Sequence, residues 1–244
     1  MKPNHEEALS LVVGGEHGLG FQVALELAQA PHPLHVLGRN ALDLARLVEC
    51  APPLASLVTH KIDLARALSC ERLLAWLDSL RAPMRQLVLV APPGEAQPAR
   101  PCASETGTVW APGHLLIVRF VARGMARTGG GSIVAVGPVA SLHRTAPGAL
   151  ASPPQWLSEL AHALDAELLD RRVPLHAVVL EAALDGPFAN EATQASWRLA
   201  ARSVAELLQP ASAERGELLH AVRGLERWVR PWRINAPTPT PARG

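Results

Sequence analysis

The sequence predicts an α/β protein in three layers, a doubly wound parallel sheet of six to seven strands between two layers of helices. Three observations carry that expectation. Apolar runs of strand length alternate with longer runs of helical periodicity along nearly the whole chain. The first apolar run ends in a glycine-rich turn that leads straight into a helix. Hydrophobic residues make up 48% of 244 residues, enough to bury a sizeable core.

The elements follow in order. LSLVV (9–13) is a strand, GGEHGLG the turn, and FQVALELAQA a helix stopped by Pro31. LHVLG (34–38) is the second strand, and Asn40 is placed to cap the helix ALDLARLVEC. LVTHKID (57–63) and the helical LARALSCERLLAWLDSL come next, then the strand QLVLV (86–90) and a Pro-rich loop. A helix around HLLIVRFVARGMA (114–126) precedes three glycines and the strand SIVAV (132–136). ASPPQW (151–156) opens the helix WLSELAHALDAELLD, followed by LHAVVL (175–180), the helix SWRLAARSVAELLQ and a last strand LLHAV (218–222). Right-handed crossovers between such strands give a doubly wound fold. Residues 1–235 read as one domain, and residues 236–244 as a Pro-rich, disordered tail.

Composition narrows the function classes. Lys plus Arg number 23 against 22 Asp plus Glu, a net charge of +1 that supplies no footprint for nucleic acid or an acidic membrane surface. No apolar run reaches the roughly 18 residues of a membrane span, and MKPNHEEALS lacks the layout of a secretion signal. Cys50, Cys70 and Cys102 lie far apart without metal-ligand spacing and read as reduced thiols of a cytoplasmic protein, with Cys50 and Cys70 closing apolar helical runs. His114 and Trp76, Trp197, Trp228 and Trp232 read as packing or surface residues.

In VGGEHGLG, Gly14, Gly18 and Gly20 stand at G-x-x-x-G-x-G spacing between a strand and a helix. Residues without a Cβ let the backbone approach a pyrophosphate, and a helix N-terminus offers N–H groups and positive dipole to it. The same spacing also makes a tight turn with no ligand.

These residues resemble the short-chain dehydrogenases/reductases, in register over nearly the whole chain. VGGEHGLG is similar to that family's T-G-x-x-x-G-x-G with Val13 in place of threonine, and LGRN (37–40) to the end of its second strand. KIDLA (61–65) resembles its adenine-contacting segment, which puts Asp63 in that role. GGGSIVAVGPVAS resembles its fifth strand and serine loop, and SVAELLQPASAERGELLHAVRG its last helix and strand. The resemblance implies a Rossmann-like domain. It also implies a dinucleotide site formed by Gly14, His17, Gly18, Gly20, Arg39, Asp63 and Ala91. NAD-dependent relatives carry an acid at the end of the second strand, where this chain has Gly38. Arg39 and His17 instead suit a 2′-phosphate, so NADP(H) is favoured if a nucleotide binds at all, while Glu16 argues the other way.

The family's chemistry uses a tyrosine as general acid/base, a lysine four residues later, a serine and an asparagine. Alignment on the serine loop puts Pro138, Ala151 and Gln155 at the serine, tyrosine and lysine, and Trp110 at the asparagine. No register slip restores the tyrosine, because the chain contains none. Ser152 suits an N-cap, Pro153 the first helical position and Gln155 a capping box, so ASPPQW keeps the helix start without the active-site pair. The family's Asn-Asn-Ala-Gly is here Ala91-Pro92-Pro93-Gly94, its Pro-Gly after the sixth strand is Leu180-Glu181, and its nicotinamide-gripping threonine falls near Asp185.

The resemblance therefore implies a member inactive in the usual tyrosine-dependent redox chemistry that acts by binding, as an NADP(H)-linked regulator or a partner subunit in a homo- or hetero-oligomer. The stripe Trp156, Leu157, Leu160, Leu164 and Leu168 suits a subunit contact, although such a stripe more often faces the core. The alternative is an oxidoreductase or non-redox enzyme with a relocated site, where His143 is the candidate base and Asp185 its partner, beside Ser141, Ser152 and Glu181. The reading of His143 as an exposed loop histidine is favoured over that role. A protein with an empty site is the third reading.

Overall fold

A computed structural model describes residues 8–80, 82–90, 112–138, 160, 164, 173, 175–180, 191–208, 219–223 and 226–230. Strands β1 (Leu9–Val13), β2 (Leu34–Gly38), β3 (Leu57–Lys61), β4 (Met84–Val90), β5 (Ser132–Pro138), β6 (Leu175–Leu180), β7 (Leu219–Arg223) and β8 (Glu226–Arg230) form one sheet. Its order is β3-β2-β1-β4-β5-β6-β7-β8. The strands from β1 to β7 pair in parallel, and β8 pairs antiparallel with β7. The parallel strands are those the sequence predicts. The eighth strand is an addition, because ERWVR carries three charges in five residues and shows no apolar run.

Burial explains why the central strands read so clearly. All five residues of β1 and all five of β2 are buried, as expected of strands covered on both faces. At the sheet edge no residue of β3 is fully buried, Val58 and Lys61 are exposed, and the strand ends on Lys61, which suits a strand with one unpaired side.

Helices α1 (Gly18–Leu27), α2 (Ala41–Cys50), α3 (Ala67–Ser79), α4 (Pro112–Arg127) and α5 (Glu191–Leu207) connect these strands. From β1 the chain winds outward through β2 to β3, then crosses back to β4 on the far side of β1. The connecting helices fall into two layers, one on each face of the sheet. The packing agrees, with α1 against α5 and α2, and α3 against α4. Leu160 and Leu164 are also helical and lie in the core. These two positions of the WLSELAHALDAELLD stripe thus face inward, whereas Trp156, Leu157 and Leu168 lie outside the described residues.

Local signals place the start of α2, whereas α1 runs three residues ahead of the expected FQVALELAQA at both ends. Asn40 Oδ1 accepts from the Leu42 backbone N–H at 3.0 Å, the expected cap. Cys50 closes α2 as expected and is exposed. Cys70 does not close a helix: α3 starts at Ala67, later than the apolar pattern suggests, so Cys70 is buried in its first turn. There its Sγ lies where a Cβ on Gly113 would come within 2.4 Å, so the small residue on α4 lets the two helices close up. Burial pushes the Cys70 thiol pKa up, with the Asp63 carboxylate adding to the shift. Trp197 is buried on α5, and Trp76 packs against two histidines, as packing roles require.

Candidate functional site

The sheet order reverses beside β1, and in doubly wound sheets the crevice at such a point, beyond the strand C-termini, is where ligands bind. The turn between β1 and α1 forms its floor. Gly14 has φ 82° and donates its N–H to Leu37 O at 3.0 Å, a left-handed conformation that favours glycine. Close approach sets two further glycines. A Cβ on Gly20 would come within 1.9 Å of Gly14 O, and one on Gly15 within 2.4 Å of Val36 Cγ1. The first turn of α1 is therefore drawn directly onto the loop backbone.

His17 is the extended N-cap of α1, and its side chain makes no cap hydrogen bond to the helix. No acidic residue lies in the first turn. The positive end of the α1 dipole accordingly meets the crevice without an acid of its own helix to offset it. This glycine-lined cradle at a helix start fits the pyrophosphate of a dinucleotide. Residues Gly14 to Gly20 would hold it through their backbone.

The rim continues along β2 and β3. Gly38 pairs with Lys61 at the strand ends, and Ile62 N–H donates to Gly38 O at 2.7 Å, which fixes the Asp63 turn beside the end of β2. Asp63 Oδ1 accepts from the Ala65 N–H at 3.1 Å, and Oδ2 lies 3.3 Å from Arg66 Nε. Its carboxylate thus shapes the turn into α3. The pairing with Arg66 is exposed and contributes little stability. Arg39 is exposed, and its backbone N–H donates to Glu16 Oε1 at 2.9 Å.

That bond is the feature missed in the sequence. Read from sequence, Gly38 leaves the end of β2 without an acid. In the structure the Glu16 side chain lies against Gly38, where an added Cβ would meet Glu16 Oε2 at 2.7 Å and Glu16 Cβ at 2.8 Å. A carboxylate therefore does stand at the end of β2, supplied by the glycine-rich turn. Glu16 is only 6% exposed, and its Oε2 is buried with no hydrogen-bond partner. The available signal was the pair itself, a long acid in the turn and a residue without a side chain at the strand end.

On the far side of the crevice Pro138 is the last residue of β5, opposite Leu180 at the end of β6. Ala91, Trp110, Ser141, His143, Ala151, Ser152, Gln155, Glu181 and Asp185 lie outside the described residues. The structure thus brings Gly14, Glu16, His17, Gly18, Gly20, Arg39 and Asp63 to one rim. A cavity of about 460 Å³ among the described residues opens elsewhere, at the start of β4 between Leu77, Met84, Phe120 and Arg127.

Solved structures share this architecture. A short-chain type dehydrogenase/reductase from Mycobacterium ulcerans matches with a TM-score of 0.64 at 17% identity, over 92% of each chain. The fold is that of the short-chain dehydrogenases/reductases. A variant of the actinorhodin polyketide ketoreductase, solved with NADPH, matches at 0.65 and 18% identity over 91% of this chain and 97% of its own. The citronellol catabolism dehydrogenase of Pseudomonas aeruginosa matches at 0.62 and 21% identity over 90% and 94%. No protein-family model and no curated protein matches the sequence. At this sequence distance the fold alone is shared. Among the described residues no helix is long and apolar enough to cross a membrane.

Proposed function

We propose that this chain binds a nicotinamide dinucleotide in the reductase fold without running the tyrosine-dependent redox chemistry of that fold, and acts by binding, as a nucleotide-linked regulator or a partner subunit. The observation that carries this reading is a complete glycine cradle in a chain that has no tyrosine. A phenol titrates near pH 10 and needs a neighbouring ammonium to work near neutrality. Here alanine and glutamine align with that pair at Ala151 and Gln155, and Pro138 aligns with the serine. Alanine has no proton to give and glutamine carries no charge. A positioned acid/base contributes about 10²–10⁴ in rate, and its partners are replaced as well.

The NADPH of the ketoreductase supports a nicotinamide dinucleotide as the ligand. Arg39 and His17 favour NADP(H) within that class, and Glu16 favours the form without a 2′-phosphate. A cytoplasmic setting accords with the free thiols of Cys50 and Cys70.

Calorimetric titration of the purified protein with NADPH, NADP⁺ and NADH, followed by a ketone-reduction assay with the dinucleotide that binds, tests the proposal. Binding without turnover is the expected result. Hydride transfer to ordinary ketones at rates normal for such reductases overturns the inactive reading, and absence of binding by every dinucleotide overturns the ligand.

A further inference from the structure

We propose that the cavity at the start of β4 is a second binding site, for a small apolar molecule that carries a carboxylate. The apolar body lies between α3 and α4, and the head group meets Arg127. This site is separate from the dinucleotide crevice. Met84 and Val90 are the two ends of β4, and Val90 lies against Gly14 of the cradle. Six residue steps of strand, roughly 20 Å, separate the two places.

The cavity offers about 460 Å³, within the roughly 300–1,000 Å³ of small-molecule sites. Leu77, Leu80, Met84 and Phe120 give it apolar walls. Leu80, Met84 and Phe120 pack on the core and stay only partly buried, so they offer apolar surface still to be covered. Gly124 forms another part of the wall. Elsewhere on α4 a Cβ on Gly113 would strike Cys70 Sγ and Leu64 O, whereas a Cβ on Gly124 would meet nothing within 4 Å. Glycine weakens a helix interior relative to alanine, and at position 124 it gives no close contact in return. What it does is keep the wall open, since a side chain there would project into the cavity.

The polar lining sets the charge of the ligand. It holds two guanidinium groups, Arg85 and Arg127, against one carboxylate, Asp78. Arg85 Nη1 donates to Gly130 O, and the Thr128 hydroxyl donates to Gly124 O at 3.0 Å, so both are engaged in closing the end of α4. Met125 O, another of the last carbonyls of α4, accepts from the Gly130 N–H at 2.7 Å. Arg127 stands in the last turn and is exposed. Among the described residues none hydrogen-bonds or ion-pairs with its guanidinium, Asp78 included. Its fork of donors matches a carboxylate in two parallel hydrogen bonds. A carboxylate head gains those bonds while the apolar body covers Met84 and Phe120. An ammonium head would instead face two like charges.

Calorimetric titration of the full chain with 4-phenylbutyrate, 4-phenylbutanol and 4-phenylbutylamine tests the site, since the three share one apolar body and differ in head group. The carboxylate should bind tightest, by about tenfold over the alcohol, the scale of one charge-assisted hydrogen bond. Arg127→Gln should remove that preference and leave the affinity for the alcohol in place. Gly124→Leu fills the cavity and should abolish binding of all three. Its Tm should hold or rise, because leucine is a better helix former than glycine, which separates blocked binding from unfolding. The proposal is overturned by no binding of any of the three at millimolar concentration, or by the alcohol or amine binding as tightly as the carboxylate. A carboxylate preference that survives Arg127→Gln, or binding that survives Gly124→Leu, overturns it equally. None of these outcomes bears on dinucleotide binding at the cradle.

Discussion

Gly15 lies under the glycine-rich turn with its α-carbon facing the side chains of β1 and β2. A Cβ there would come within 2.4 Å of Val36 Cγ1 and 3.1 Å of Val12 Cγ1. Carbon atoms pack best at about 3.5–4.0 Å, so the first contact is too short by roughly 1 Å. Val36 is fully buried and cannot swing into solvent. Gly15 is not among the glycines with positive φ, so alanine suits its backbone and recovers about 0.4–1 kcal/mol through the unfolded chain. Overpacking costs about 1–3 kcal/mol, and an overlap of this size belongs in the upper part of that range. Gly15→Ala should therefore lose about 2 kcal/mol, a fall in Tm of about 4–8 °C for a chain of this length. Val36→Ala alone should lose about 2 kcal/mol from two buried methyl groups and the space they leave. Because the obstacle is a side chain, the double variant should lose little more than Val36→Ala does. Urea unfolding of all four proteins measures the coupling, expected at about 2 kcal/mol. Losses that add to within about 0.5 kcal/mol would refute the assignment of the clash to Val36, and with it the seating of the turn on that side chain.

Gly20→Ala should behave differently, since its Cβ would meet backbone, Gly14 O at 1.9 Å, and no partner substitution can make room; the helix must move, so both Tm and dinucleotide affinity by calorimetry should fall. His35 Nδ1 and His60 Nε2 lie 3.0 Å apart beside Trp76, and burial lowers both pKa values, with the His60 charge also acting on His35. A histidine with a depressed folded pKa binds fewer protons folded than unfolded, so this stability is present in full above pH 6.5 and declines as pH falls below that unfolded value. Urea midpoints should drop on acidification from neutrality, and the drop should flatten in His60→Phe; an identical slope in the variant would rule this pair out as its source. Asn40→Ala should cost about 1 kcal/mol by removing the cap on Leu42 N–H, read as a Tm loss of about 2–4 °C that Asn40→Ser largely avoids.

Much of the fold was legible because its signals are local or repetitive. The central strands are buried on both faces, and LSLVV and LHVLG therefore show as unbroken or nearly unbroken apolar runs. Asn40 caps a helix that starts one residue later, a relation contained within three residues of sequence. The glycine spacing survives as a pattern because backbone conformation at Gly14 and backbone contact at Gly20 admit little else. The missed parts share the opposite property. Strand β8 is defined by pairing with β7, and a stretch with the composition ERWVR has no apolar period of its own to announce it. His35 and His60 are 25 residues apart and meet only because β2 and β3 pair in one register. Leu160 and Leu164 belong to a stripe whose pattern fits a core face or a subunit contact, and their burial selects the core at these two positions.

The sequence by itself determined the alternation of strands and helices, the place of the glycine cradle and the absence of any tyrosine to act as acid or base, since each depends on residue identity and short-range spacing. Only the tertiary structure decided where the acid in the turn stands. Glu16 and Arg39 are 23 residues apart. Parallel pairing of β1 and β2 brings the turn after one strand beside the end of the other. In that register the missing side chain of Gly38 is the space that Glu16 fills, a complementarity between two residues that neither one shows alone.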